Sequence, residues 1–461
     1  MDVSGPGPGY VRVLLESQKH KALADAAALL VARKSPVDAL SSFVRERSSS
    51  ELIIDPTFGA IPIASGARTI KIAPSEFDPD NSARFLVRAF VKADSLADVP
   101  ELIDGELVHS DPTAGPYLTC IDSRARGDTM DVQAKLDTGT LFQHGLDGSG
   151  VAIAIVDTGV FLPRLTKRLG AAPTLDVINS WSPMTVVTQA GMHRLGHGTM
   201  CAYDALIAAP KAKLLDVAML IARPPGDHSV HATVSAAMQA YWPLINSWVA
   251  APASKGKPPP YKALVVSNSW GILHPSLDLP PGHSGRFIDN PNHIFRLFVR
   301  ALAFVGVDVV FAGSNCGPEC RSAVCLGRSA GMIMGANAYD EVLTLAGCDV
   351  YDKRVGYSSK GPSIANMPQQ KPDLTAYTHF LGSQISETYI PDSGTSAACA
   401  VAAGCVAALR TRASVSGIPP AALFQALKDS ALKVAGPAWD PGYGHGIIRP
   451  VAAAKVLGLI P

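Results

Sequence analysis

Residues 151–159 read VAIAIVDTG, from Val151 to Gly159: an unbroken apolar run that ends in an acid and a turn. A run with no polar alternation is what a strand buried on both faces looks like. Comparable runs recur at Leu214–Leu220, Ala263–Val266 and Val307–Phe311, interrupted only by Asp216 and Asp308. Helix-compatible stretches lie between them. This succession predicts an α/β domain around a mainly parallel sheet. In such sheets active sites form at the carboxyl ends of strands, which is where Asp157 stands.

Outward from this stretch the texture changes. Residues 1 to about 125 mix polar, charged and apolar segments, and a smaller α+β region is expected there, with the main domain over 126–461. Ala22–Ala32 is rich in Ala and Leu and reads as a helix. Phe85–Val91 suits a strand. Asp94–Ile103 reads as a short helix, with Pro100 counting against its second half. Val108–Pro112 reads as a strand running into a turn. Ala251–Tyr261 (APASKGKPPPY) reads as an exposed loop.

At 461 residues, two domains are the prior. Hydrophobic residues make up 47% and charged residues 17%, which fits a globular chain with a large core rather than a disordered one. A formal net charge of +1 gives no reason to expect a nucleic-acid partner. No apolar stretch is long enough to span a bilayer, so no membrane partner is expected. The opening MDVSGPGPGY has no basic n-region and no apolar h-region. The expected location is therefore cytoplasmic, or secreted if the chain has been trimmed.

Three short words carry chemistry. Asp157-Thr158-Gly159 places an acid after a buried strand, which also suits an aspartic protease or a plain strand-ending turn. His197 lies between Gly196 and Gly198 at the start of a helix-forming stretch, and a lone His is more often structural than catalytic. The glycines let another backbone or a substrate approach closely. Ser396, in Gly394-Thr395-Ser396-Ala397-Ala398, opens a small-residue helix. A helix N-terminus favours an anion developing beside a nucleophile, although a Ser there is also a common cap. Taken together the three are far more specific. Acyl transfer by Ser needs a base, and the base needs an acid. The chain order Asp, His, Ser is the subtilisin order.

On those words and that order, the sequence resembles the subtilase family of serine proteases. The resemblance implies a subtilisin-like three-layer α/β domain and hydrolysis of peptide bonds through a Ser acyl-enzyme, with Asp157, His197 and Ser396 as the triad. Val310–Gly317 (VFAGSNCG) resembles the family's strand ending in the oxyanion Asn, which implies that role for Asn315. In subtilisin, loss of such a donor costs about 10²–10³ in turnover. Ser269-Trp270-Gly271 resembles the segment that pairs with substrate backbone and forms one S1 wall, with Ala312, Gly313 and Ser314 opposite. Gly335-Ala336-Asn337 through Pro362, Lys371-Pro372-Asp373 and Gly442–Gly446 resemble later family segments, so the likeness covers roughly 140–457. Ala400 and Val401 stand where the family usually has Pro and His, which predicts a more regular Ser helix. Ser314 stands where a Gly is frequent, which predicts a slightly narrower pocket. Segments 222–262 and 272–293 are longer than a minimal subtilase needs.

Cys201 lies one helical turn past His197, where proteinase-K-like subtilases carry a Cys. The resemblance implies a buried thiol under the His. Cys316, Cys320 and Cys325 cluster after Asn315, with Cys348 as a fourth, and are open to a loop disulfide, free thiols or a zinc site. No cofactor is expected. Calcium sites are frequent in the family, but no acidic loop here has the pattern to place one. Residues 80–125 are expected to act as a propeptide, with Pro112–Cys120 running through the active site as an intramolecular inhibitor. An accessory domain is the competing reading for 1–80. The expected partner is a peptide or protein substrate. General endoproteolysis leads, ahead of a dedicated processing step such as leader removal or macrocyclisation, and of a silent subtilase fold used for binding.

Overall fold

The computed structural model describes residues 8–63, 82–116, 119, 124–184, 186, 188–221, 232–246, 260–385, 390–434, 436 and 438–461. Most of the expected loop at 251–261 lies outside the described residues. So does the end of the expected inhibitory segment, at Tyr117, Leu118 and Cys120.

The N-terminal region is α+β, as expected. Its strands are β1 (Tyr10–Gln18), β2 (Leu52–Ile54), β3 (Ile61–Ile63), β4 (Arg84–Lys92), β5 (Leu102–Ile103) and β6 (Glu106–Ser110). They form an antiparallel sheet in the order β2-β4-β1-β6-β5, with β3 also on β4. The expected helix appears as Lys21–Val31, and a second one, Val37–Arg47, follows it. The short helix expected at 94–103 contracts to one 3₁₀ turn, Leu96–Asp98. Pro100 ends it, and Leu102–Ile103 joins the sheet instead.

A short strand, β7 (Thr113–Pro116), leads from this region toward the main domain. That domain contains β8 (Val151–Asp157), β9 (Lys213–Ala218), β10 (Ala232–Thr233), β11 (Ala263–Asn268), β12 (Trp270–Ile272), β13 (Asp308–Ala312), β14 (Leu343–Cys348) and β15 (Leu374–Tyr377). Among the described residues the central sheet has the order β15-β14-β13-β11-β8-β9, and every ladder in it is parallel. Every residue of β8 is buried, as an uninterrupted apolar run requires.

The two acids that break the apolar runs are satisfied by distant partners. Asp308 receives the Arg410 guanidinium at 2.6 and 2.7 Å. Arg410 ends the Ser396 helix, Gly394–Arg410, and both partners are fully buried. Asp216 is met by His193 (below). The Ser396 helix is buried along its whole length and is uninterrupted at Ala400, as the missing Pro predicts. It packs on the His197 helix, Gly196–Leu206, so closely that a Cβ on Gly404 would lie 2.1 Å from the Ala205 carbonyl oxygen. Small residues at this crossing bring the helices that carry His197 and Ser396 together.

Candidate active site

Asp157, Ser269 and Asn315 stand at or just beyond the carboxyl ends of β8, β11 and β13, which are adjacent in the central sheet. The Asp and His words are laced together. The Thr158 hydroxyl accepts from the Gly198 N–H at 2.9 Å, and the Thr199 hydroxyl accepts from the Phe161 N–H at 2.9 Å. A Cβ on Gly198 would fall 2.4 Å from the Gly159 carbonyl oxygen, so only Gly fits there. The backbone approach expected beside His197 is thus made by the Asp157 turn.

His197 Nδ1 lies 2.7 Å from Asp157 Oδ1. The same oxygen accepts from the Thr158 N–H at 2.6 Å, and Asp157 Oδ2 accepts from the Cys201 thiol at 3.7 Å. Asp157 is fully buried, while 23% of the His197 side chain is exposed. Burial works to lower the His197 pKa, but the Asp157 charge and hydrogen bond outweigh it and hold the pKa above the usual imidazole range. Burial and the Asp157 charge push the Cys201 thiol well up. Cys201 is therefore a protonated donor beneath the pair rather than a reactive thiol. Among the described residues, Asp157, His197 and Cys201 are the one His/Cys/Asp/Glu group with metal-binding spacing. Hydrogen bonding within the group accounts for that spacing.

Ser396 sits in the first turn of its helix. Its hydroxyl points to the Ser269 carbonyl oxygen at 3.5 Å, while the Ser269 hydroxyl donates to the Ser396 carbonyl at 3.1 Å. The structure therefore brings Ser396 against the β11–β12 junction, with its hydroxyl turned to that carbonyl. Asn315 Oδ1 accepts from the Thr395 N–H at 2.8 Å and from the Thr395 hydroxyl at 3.0 Å. This fixes the amide, leaving Nδ2 beside the Ser396 turn, 2.9 Å from where a Cβ on Gly394 would lie.

The expected pocket walls are also adjacent. Asn337 Nδ2 donates to the Trp270 carbonyl at 3.0 Å and to the Ala312 carbonyl at 2.8 Å, clamping one wall to the other. Ser314 adopts a φ of +73° and its buried hydroxyl is without a partner. Gly313 packs on the β14 backbone. The Trp270 indole is fully buried against Phe295 and Phe311 and donates to Asn268 at 3.1 Å. Toward β7, Trp270 presents backbone rather than side chain.

That backbone is paired. β7 lies antiparallel between β10 and β12, with Pro116 opposite Trp270, Gly115 opposite Gly271 and Ala114 opposite Ile272. The chain's own segment thus takes the place of an added strand, and it runs toward Ser269 and Ser396.

Sequence reasoning missed three supports. His193 Nδ1 lies 2.8 Å from Asp216 Oδ2, and Asp216 also accepts from the Val160 and Gly191 N–H groups at 3.1 and 2.7 Å. This joins the segments leading from Asp157 and into His197. Asn337 was noticed only as part of a word. Asp392 accepts from the Ser383 N–H and hydroxyl just ahead of the Ser396 turn. The acids interrupting apolar stretches were the available signal for the first of these. Behind Asn315, Cys316 and Cys325 are disulfide-bonded, and so is Cys320. Cys348 is a buried free thiol. The disulfide alternative holds for Cys316 and Cys325, and the zinc and free-thiol alternatives for this cluster do not.

Known proteins were compared with the chain. The profile described as "Subtilase family" matches residues 148–446, more than half of the chain. No curated protein matches. Among solved structures, MycP1 from the ESX-1 type VII secretion system is similar at 18% identity and a TM-score of 0.47, covering 75% of this chain and 90% of that one. MycP1 from Mycobacterium smegmatis is similar at 18% identity and 0.46, covering 75% and 89%. Likeness at that level carries no weight for function.

Proposed function

As the chain belongs to the subtilase family of serine-type peptidases, we propose that it is an endopeptidase held as a zymogen by its own N-terminal region. Ser396 is the nucleophile. His197 takes its proton through Nε2, and Asp157 steadies the resulting imidazolium through the Nδ1 hydrogen bond. The Asn315 amide and the Ser396 N–H at the helix start donate to the tetrahedral oxyanion. The hydroxyl must turn from the Ser269 carbonyl toward His197 for attack, a tightening that sites without substrate commonly require. The backbone of Ser269, Trp270 and Gly271 holds the substrate strand, Asn337 keeps that strand's wall against Ala312–Ser314, and β7 occupies the place until it is removed.

The observation that carries this reading is the 2.7 Å His197–Asp157 contact, with Asn315 beyond a neighbouring strand end and Ser396 in the helix turn beside it. The test compares the purified chain with its Ser396→Ala variant by intact mass and fluorophosphonate labelling. Wild type is expected to be cut within residues 110–145 and to label at Ser396, while the variant stays whole and unlabelled. A folded wild-type chain that does neither refutes the assignment. Cutting in both chains refutes self-processing.

A further inference from the structure

Beside the candidate triad lies a cavity of about 660 Å³ whose wall includes Phe161, Arg164, Lys167, Arg168, Ser383 and Gln384. The helix Leu162–Leu169, which follows Asp157, supplies the three cations. Arg194 adds a fourth at the rim, its guanidinium 5.7 Å from the Phe161 ring. The chain as a whole carries a net charge of only +1, so this is a local concentration. Arg168 is fixed in place: Nε donates to the Gly382 carbonyl at 2.6 Å and the guanidinium lies 5.4 Å from the Tyr203 ring. Held this way, it turns part of a planar donor fork toward the cavity at little entropic cost. Lys167 is exposed.

Asp204 and Asp392 are buried beneath the cavity, burial pushes both carboxyls up, and Asp392 is engaged by the Ser383 N–H and hydroxyl.

The cavity lies on the leaving-group side of Ser396. Its wall reaches the start of the His197 helix, because a Cβ on Gly196 would come 2.9 Å from Ile385 Cδ1. Chain direction gives the side. β7 runs along β12 toward Ser396, and later residues of the same chain, 126–129, pair along 379–381. There the Arg126 N–H donates to the His379 carbonyl at 2.8 Å, Leu381 N–H to the Gly127 carbonyl at 2.9 Å, and Thr129 N–H to the Leu381 carbonyl at 3.1 Å. Residues 379–381 lead directly into Ser383 and Gln384. A peptide entering as β7 does would therefore leave past the basic wall.

We propose that this cavity is a subsite for an acidic side chain on the carboxyl-terminal side of the scissile bond, so that the enzyme selects substrates with Asp or Glu within the first few residues after the cut. The proposal rests on the protease reading. Phe161 gives the methylene stem an apolar surface, and Lys167 and Arg168 meet the carboxylate.

The test uses internally quenched peptides that share every residue before the bond and carry Asp, Asn or Lys at each of the four positions after it. Wild type is expected to favour Asp over Asn by about tenfold in kcat/KM at one or two positions at low ionic strength, with the margin shrinking as salt screens the charges. Lys167→Glu should remove or invert that order, raising the Lys peptides relative to the Asp peptides, whereas a fold defect would lower all three alike. Equal turnover of all three peptides by wild type overturns the subsite and leaves the protease standing. With wild type first shown by intact mass to be cut within residues 110–145, no turnover of any peptide overturns the protease, and the subsite with it.

Discussion

At the level of single residues, the raised His197 pKa has a direct kinetic consequence for the proposed mechanism. A protonated imidazole cannot accept the Ser396 proton, so the acid limb of kcat/KM should lie above the ordinary imidazole range. It is held there by Asp157, whose carboxylate is 2.7 Å away. Asp157→Asn should move the limb to lower pH and reduce kcat by about 10⁴. A limb that stays put would mean that another group sets it. The words around Asp157, His197 and Ser396 were legible because their chemistry is local: a turn, two flanking glycines, a helix start. What they concealed was orientation. Nothing near Trp270 in the sequence says that its indole faces Phe295 and Phe311, and nothing near Ser396 says that its hydroxyl rests on the Ser269 carbonyl. Both depend on residues tens of positions away.

Among elements, the Ser396 and His197 helices are matched to each other more than to their own propensities. In an exposed helix, Gly→Ala is stabilising by about 1 kcal/mol. Gly404→Ala should have the opposite sign, because its methyl would meet the Ala205 carbonyl at 2.1 Å. Overpacking of this kind costs about 1–3 kcal/mol, readable as a lowered denaturation midpoint with an unchanged slope. A neutral or stabilising result would show that the crossing has slack. The strands of the central sheet were readable because burial on both faces leaves long apolar runs. β7, β10 and β12 were not, since strands of two to four residues have no period to detect and exist through pairing with one another. Asp216 and Asp308 looked like interruptions for a related reason: their partners, His193 and Arg410, lie on other elements.

Over the whole molecule, the expected division near residue 125 does not separate two cores. One apolar cluster joins Leu14 and Leu23 of the N-terminal region to Ala237, Tyr241 and Phe298 of the main domain. Asp111 accepts from the Ser235 N–H and hydroxyl, each at 2.8 Å, at the start of the helix Val234–Ile245, where a carboxylate is favoured. In the same interface the buried His293 ring stands edge-on to His109 at 5.4 Å, and His109 in turn meets Glu16 at 2.7 Å, with Arg84 on Glu16 at 3.0 Å. Burial and His109 hold His293 well below the usual imidazole range. A separated His293 would bind a proton more readily, so docking is favoured above the ordinary imidazole pKa and weakens as pH falls below it. In the Ser396→Ala chain, amide exchange of the N-terminal sheet, corrected for its intrinsic rate, should quicken from pH 7.5 to 5. His293→Phe should flatten that response, and equal protection at both pH values in the Ser396→Ala chain would refute it. On the proposed zymogen reading, the strand at Thr113–Pro116 also sets a threshold for every other peptide. Because it is covalently tethered, it visits the cleft at an effective concentration of the order of millimolar. A free peptide of equal intrinsic affinity would have to approach that concentration to compete. On that reading the uncut chain is unresponsive to dilute peptides that fit no better than its own strand, and what first makes it responsive is the loss of a tether rather than the arrival of a ligand.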